Sequence, residues 1–81
     1  MDLKELREQI DAIDTLLASL IEKRREIVNK IGEFKKVNRL PVEDKTREEE
    51  ILNKLTKEHK EVENEIKSIY SIIFELSKKK E

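Results

Sequence analysis

The sequence has no cysteine and no tryptophan, and only one glycine and one proline in 81 residues. Without cysteine there is no disulfide framework and no thiolate zinc site. With so little Gly and Pro the chain has few ways to turn, and helix is the expected conformation. Neither charge sign is in excess. Eighteen Lys and Arg stand against 19 Asp and Glu, for a net charge of -1, which lacks the basic footprint of a nucleic-acid binder. No apolar run approaches the roughly 18 residues of a membrane span. The opening residues, Met1-Asp2-Leu3-Lys4-Glu5, are charged and do not read as a secretory signal. A single cytoplasmic domain over residues 1–81 is the expectation, with no nucleic acid and no membrane as partner.

What remains is charge and periodicity. Charged residues make up 46% of the chain and hydrophobic ones 36%. Such a composition also suits disorder, but a disordered chain has no regular apolar spacing. Here Leu3, Leu6, Ile10, Ile13, Leu17, Leu20, Arg24, Ile27, Ile31 and Phe34 recur every three or four residues without a slip. Leu16, Ile21 and Val28 widen the stripe. This is a heptad seam, and it predicts one helix over about 3–36. At 1.5 Å per residue that helix is about 50 Å long. A compact chain of this length has a radius of gyration of about 12 Å and is only about 30 Å across. One chain has no core long enough to cover such a stripe, so a second copy is expected to share it. The fold class is all-α: three helices with a very long first one, in an intertwined homodimeric bundle.

A loop is expected over 37–44, where Pro41 disfavours helix at Leu40. Asp44 or Thr46 caps a second helix over about 45–60, and Thr46 with Glu49 fits a capping box. A third helix is expected over about 63–80, carrying Ile66, Ile69, Tyr70, Ile73 and Phe74, with Asn64 as a possible cap. The stretch between them holds no Gly or Pro and the apolar phase runs on unbroken. A turn within 58–64 is the preferred reading, with one continuous helix from about Thr46 to Lys79 as the alternative.

In a helical bundle the informative residues are polar ones on the apolar stripe. Arg24 sits in the seam, and either snorkels, forms an ion pair, or touches a ligand. Lys35 lies three turns on along the same face. Glu48 heads the second stripe beside Arg47, with Asp44 one turn before. Ser77 and Glu81 end the third stripe, where chain-end fraying is the plain reading. Arg7 flanks the seam about 25 Å from Arg24 along the helix. Within one chain the two arginines are too far apart to share a small ligand; across an antiparallel dimer they can. Taken together these residues suggest a cationic pocket for a small polyanion, built by two chains. His59 has no second ligand for a metal, and no metal site is expected. Lys78, Lys79 and Lys80 complement a helix dipole and need no partner on that ground. No nucleophile triad or Gly-rich phosphate cradle is present.

The ordered series Leu3-Lys4-Glu5-Leu6-Arg7, Ile10-Asp11-Ala12-Ile13-Asp14, Leu20-Ile21-Glu22-Lys23-Arg24, Ile31-Gly32-Glu33-Phe34-Lys35 and Pro41-Val42-Glu43-Asp44-Lys45-Thr46-Arg47-Glu48 resembles the all-helical class of chorismate mutases. Any one piece is unspecific; the set with its gaps intact is specific. It covers residues 3–55 closely and the third helix more loosely, after a shorter connection than in familiar members. The resemblance implies three-helix chains intertwined as dimers that turn chorismate, a dicarboxylate, into prephenate on the route to phenylalanine and tyrosine. It implies no cofactor and no metal.

By position, the resemblance gives Arg24, and Arg7 of the other chain, the role of clamping the substrate carboxylates. Lys35 would contact a carboxylate and the ether oxygen. Glu48 would accept the ring hydroxyl, helped by the Asp44 region, and Arg47 would line the wall. Ser77 would lie near the ring carboxylate, and Glu81 would be the second ligand to the ether oxygen. Glu81 must be protonated to donate there, so activity is expected to rise toward acid pH and Glu81→Gln to flatten the profile. Two other readings remain: an isochorismate–pyruvate lyase of the same fold, and a non-catalytic helical dimerisation module. The sequence shows no additional regulatory domain, so feedback control within the chain is not expected.

Overall fold

The computed structural model describes residues 1–80, with side chains through Lys78. The backbone forms α1 (Leu3–Val37), α2 (Lys45–Glu58), a single 3₁₀ turn (Lys60–Val62) and α3 (Glu63–Lys80). Asp2 caps α1, its carboxylate accepting from the Glu5 N–H at 2.9 Å. That contact satisfies one of the orphan donors of the first turn.

The end of α1 is set by backbone geometry rather than by a glycine. Arg39 takes a left-handed φ of 55°. The Leu40 N–H then reaches back to the Lys35 carbonyl at 2.8 Å, and the Arg39 N–H to that of Lys36 at 3.4 Å. This is the Schellman arrangement, and a non-glycine residue holds it at a steric cost of about 1 kcal/mol. The chain reverses there and Asp44 starts α2, its carboxylate accepting from the Arg47 N–H at 3.0 Å. Of the two caps that the sequence allows, Asp44 is the one used. Thr46 lies inside the helix, because α2 already begins at Lys45.

The break between α2 and α3 falls at His59, with φ −132° and ψ 58°. Its N–H still donates to the Leu55 carbonyl at 2.9 Å, so the helix ends without losing that bond. The chain then makes one tight turn and resumes as α3, which packs against both α2 and α1. The helices are therefore not continuous, and Asn64 lies within α3 rather than at its cap.

Among the described residues only Val28 and Phe74 form a buried apolar core, with Gly32 also buried. The seam residues Leu3, Leu6, Ile10, Ile13, Leu17, Leu20, Ile27, Ile31 and Phe34 are each between 41% and 62% exposed. The chain measures 54 × 24 × 16 Å with a radius of gyration of 15.9 Å, well above the ~12 Å of a compact chain of this size. The first half of α1 projects beyond the other helices, with every residue from Leu3 to Lys23 exposed. Among the described residues no helix is long and apolar enough to cross a membrane.

Candidate active site

The polar residues that interrupt the apolar stripes converge on one cleft of about 370 Å³, near the lower end of the range for small-molecule sites. Its floor is apolar, made by Ile27, Val28 and Ile31 of α1, Ile51 of α2 and Phe74 of α3. Its walls carry Arg24 and Lys35 from α1, Asp44 from the connection, Arg47 and Glu48 from α2, and Ser77 and Lys78 from α3. Four cations thus face two carboxylates. The cleft carries a positive excess although the chain as a whole does not.

Each wall residue is held by an identifiable contact. The Arg24 guanidinium donates to Ser77 Oγ at 3.0 Å, and that hydroxyl donates in turn to the Ile73 carbonyl at 2.8 Å. The guanidinium also lies 5.9 Å from the centre of the Tyr70 ring, within cation–π range. Tyr70 is itself braced by Phe74 in an edge-to-face contact at 5.5 Å. A planar five-donor group supported on a ring and one hydroxyl keeps its remaining donors for a ligand. The neutral contacts leave its charge uncompensated by any carboxylate within the described ion pairs.

The Lys35 ammonium donates to the Val42 carbonyl at 2.9 Å. The reversal of the chain after α1 brings that carbonyl within reach. Arg47 pairs with Glu50 of its own helix at 3.6 Å and also lines a second cavity of about 290 Å³ with Arg24, Lys54 and Tyr70. Glu48 sits in the first turn of α2, partly buried, with its carboxylate 3.9 Å from the Lys78 ammonium. The Lys78 ammonium also binds Glu43 at 2.9 Å. This hydrogen bond and the adjacent positive charge hold the Glu43 carboxyl below its usual range, and the same bond raises the Lys78 ammonium above its own.

The structure therefore brings Arg24, Lys35, Asp44, Arg47, Glu48 and Ser77 together in one cleft. It does not bring Arg7 there: Arg7 lies on the exposed first half of α1. Glu81 lies outside the described residues. Lys78 is the residue that sequence reasoning missed. The helix dipole alone accounts for its charge, yet it pairs with Glu43 and Glu48. Its position one residue after Ser77 was the available signal. Among the described residues no His, Cys, Asp or Glu cluster could hold a metal ion.

The described residues thus form an all-helical chain with a cationic cleft over an apolar floor, a form suited to a small anionic ligand. Residues 6–81 match the family described as chorismate mutase type II, and the chain belongs to that family. It is 35% identical over 79 residues to a chorismate mutase of Methanocaldococcus jannaschii, covering 94% of this chain and 80% of that protein. It is 41% identical over 61 residues to a bifunctional chorismate mutase/prephenate dehydratase of Aquifex aeolicus. That match covers 75% of this chain and 17% of the relative, so the chain corresponds to a small part of the bifunctional protein. No solved structure gives a significant match.

Proposed function

We propose that this chain is a cytoplasmic chorismate mutase that acts as an intertwined homodimer and rearranges chorismate to prephenate for phenylalanine and tyrosine synthesis. The observation that carries the reading is the cleft itself: four cations and two carboxylates over an apolar floor. Chorismate is a compact dianion with a ring hydroxyl, which this set of donors and acceptors complements. A dianion does not cross a bilayer unaided, so the enzyme must share its substrate's compartment.

The reaction is a unimolecular pericyclic shift. It needs no nucleophile and no net proton transfer, so the protein's task is to hold the reactive conformer and to stabilise charge as it develops. Arg24, set by Ser77 and Tyr70, clamps one carboxylate with its free donors. Lys35, steadied by the Val42 carbonyl, faces the other carboxylate and the ether oxygen where negative charge grows. Glu48 accepts the ring hydroxyl, with Asp44 beside it and Arg47 adding positive potential at the wall. Arg7 of the second copy completes the carboxylate clamp, and Glu81 supplies a further ligand to the ether oxygen.

The exposed seam supports the dimer. Burying a Leu or Ile side chain is worth about 1.5–3 kcal/mol, and the seam leaves nine apolar side chains roughly half uncovered. The test is the loss of chorismate absorbance on adding the purified protein, with the product identified as prephenate. Parallel assay with isochorismate separates the lyase of the same fold, which is detected by release of pyruvate. A folded dimer inert toward both substrates would leave only the dimerisation module.

A further inference from the structure

We propose that Lys78 is a positioning residue of this site, bridging Glu43 and Glu48 so that the last turn of α3 fixes the α1–α2 connection and aims the Glu48 carboxylate into the cleft. The inference rests on the mutase reading above. Three elements meet at this ammonium. Glu43 belongs to the connection, one residue from both Asp44 and the Val42 whose carbonyl holds Lys35. Glu48 belongs to the first turn of α2. Lys78 follows Ser77, which holds Arg24. The bridge thus ties the segment that positions Lys35 to the helix end that positions Arg24, with Glu48 between them.

The distances assign the roles. Lys78 is in direct hydrogen bond to Glu43 at 2.9 Å and stands 3.9 Å from Glu48. Glu43 is therefore the anchor, and Glu48 is held by charge without losing its lone pairs to a direct bond. Its carboxylate stays available to accept a ligand hydroxyl. The anchor also keeps the ammonium from the substrate carboxylates, which sets Lys78 apart from Arg24, whose described contacts are a hydroxyl and a ring. The side chains of Lys78 and Glu43 are 39% and 43% exposed, and pairs so open to water add little to stability. Their effect is expected in the geometry of the bound state.

The experiment is steady-state kinetics of the dimer with chorismate for Lys78→Met, Glu43→Gln, the double variant and Lys78→Arg, with thermal unfolding of each. Loss of the bridge is expected to raise KM about 5-fold or more in both single variants, with a smaller change in kcat and a nearly unchanged midpoint. The double variant is expected to be no worse than Lys78→Met, because both changes break one unit, and Lys78→Arg to restore most of the lost affinity. A KM in Lys78→Met equal to that of the unaltered protein overturns the proposal. So does a lowered KM in Glu43→Gln, since freeing the ammonium would then improve binding and Lys78 would be a direct substrate contact. An unaltered protein that leaves chorismate untouched overturns the mutase reading itself, and this inference with it.

Discussion

Replacing Arg24 by leucine separates catalysis from packing more sharply than any other single change. Arg24 occupies a seam position, between Leu20 and Ile27 of the stripe, so a leucine there completes the apolar run. The substitution removes one charge-assisted hydrogen bond to Ser77, worth about 1.5 kcal/mol. It also removes the contact with Tyr70, worth about 0.5–1 kcal/mol at a partly exposed site. Against this, leucine packing recovers about 1–2 kcal/mol, and a partly buried charge no longer has to be desolvated. The terms nearly cancel, so the unfolding midpoint is expected to move by no more than about 5 °C. Turnover behaves differently. Two charge-assisted bonds to a substrate carboxylate at no less than about 1.5 kcal/mol each amount to about 3 kcal/mol. That is on the order of 100-fold in kcat/KM. The assay pairs thermal unfolding and light scattering of the dimer with chorismate consumption. Turnover within about 10-fold of the unaltered protein, at unchanged stability, would falsify the role given to Arg24. Activity lost together with the fold would show instead that the estimate of packing is wrong.

Three further outcomes are expected. Arg7→Ala and Arg24→Ala chains, each inactive alone, should recover about one quarter of full activity when mixed and re-equilibrated at equal amounts. Half of the dimers are then mixed, and each mixed dimer has one intact site. No recovery would mean that a site does not draw on both chains. Arg39→Gly should stabilise the protein by about 0.5–1 kcal/mol, because glycine takes the left-handed φ of that position without the clash of a β-carbon; a lowered midpoint in urea unfolding counts against it. The Lys78–Glu43 bridge should have a defined pH window. Glu43 is held below its ordinary value of 4.5 by the Lys78 hydrogen bond and charge. Its contribution is therefore present above that value and lost as pH falls through the lowered one. Lys78 is raised above its ordinary value of 10.5 by Glu43, with Glu48 and Glu75 nearby. Its contribution is complete below 10.5 and is lost as pH rises through the raised value. Carbon-13 NMR should find the Glu43 carboxyl titrating below 4.5 and returning to the ordinary value in Lys78→Met. An unchanged midpoint in that variant would show that the bridge does not form in solution.

The parts of the fold that were legible are those written in local periodicity. The unbroken three-four spacing from Leu3 to Phe34 specifies a helix longer than any core the chain can build, and α1 spans Leu3–Val37. The same spacing makes Arg24 conspicuous, because only a position that should be apolar exposes a polar residue as an exception. A turn is expected within 58–64 and the break falls inside that window, at His59, but its exact place was not legible. No glycine or proline marks it, and the apolar phase runs through it, so local propensity favours continuing the helix. The chain turns there because α3 must fold back to pack against α2 and α1, which is a tertiary requirement. Lys78 was hidden for a similar reason. In a run of three lysines at a helix end the dipole already accounts for the charge. The actual partner, Glu43, lies on a segment far away in sequence, whose path depends on the left-handed turn at Arg39. Between Asp44 and Thr46 the sequence offered two sound caps. The structure uses the one that leaves Asp44 at the cleft wall as well.

The shortage of core and the openness of the site have one origin. α1 carries its apolar stripe along the whole helix, but α2 and α3 reach only its C-terminal half, where Val28, Gly32 and Phe74 are buried. The cleft lies over that half, and the bare half begins on the N-terminal side of Arg24. A second α1 laid antiparallel along the seam would cover the bare half of the first. It would bring its own N-terminal half, and with it Arg7, toward the cleft that the first chain leaves open. In such a dimer the contact that supplies hydrophobic burial would also deliver the Arg7 cation. On this account assembly and catalysis cannot be tuned separately. A substitution such as Leu17→Glu, in the seam at 52% exposure and away from the cleft, would place a carboxylate in the interface that such a dimer shares. It is expected to abolish turnover by splitting the dimer, and a fully active Leu17→Glu monomer would break the link.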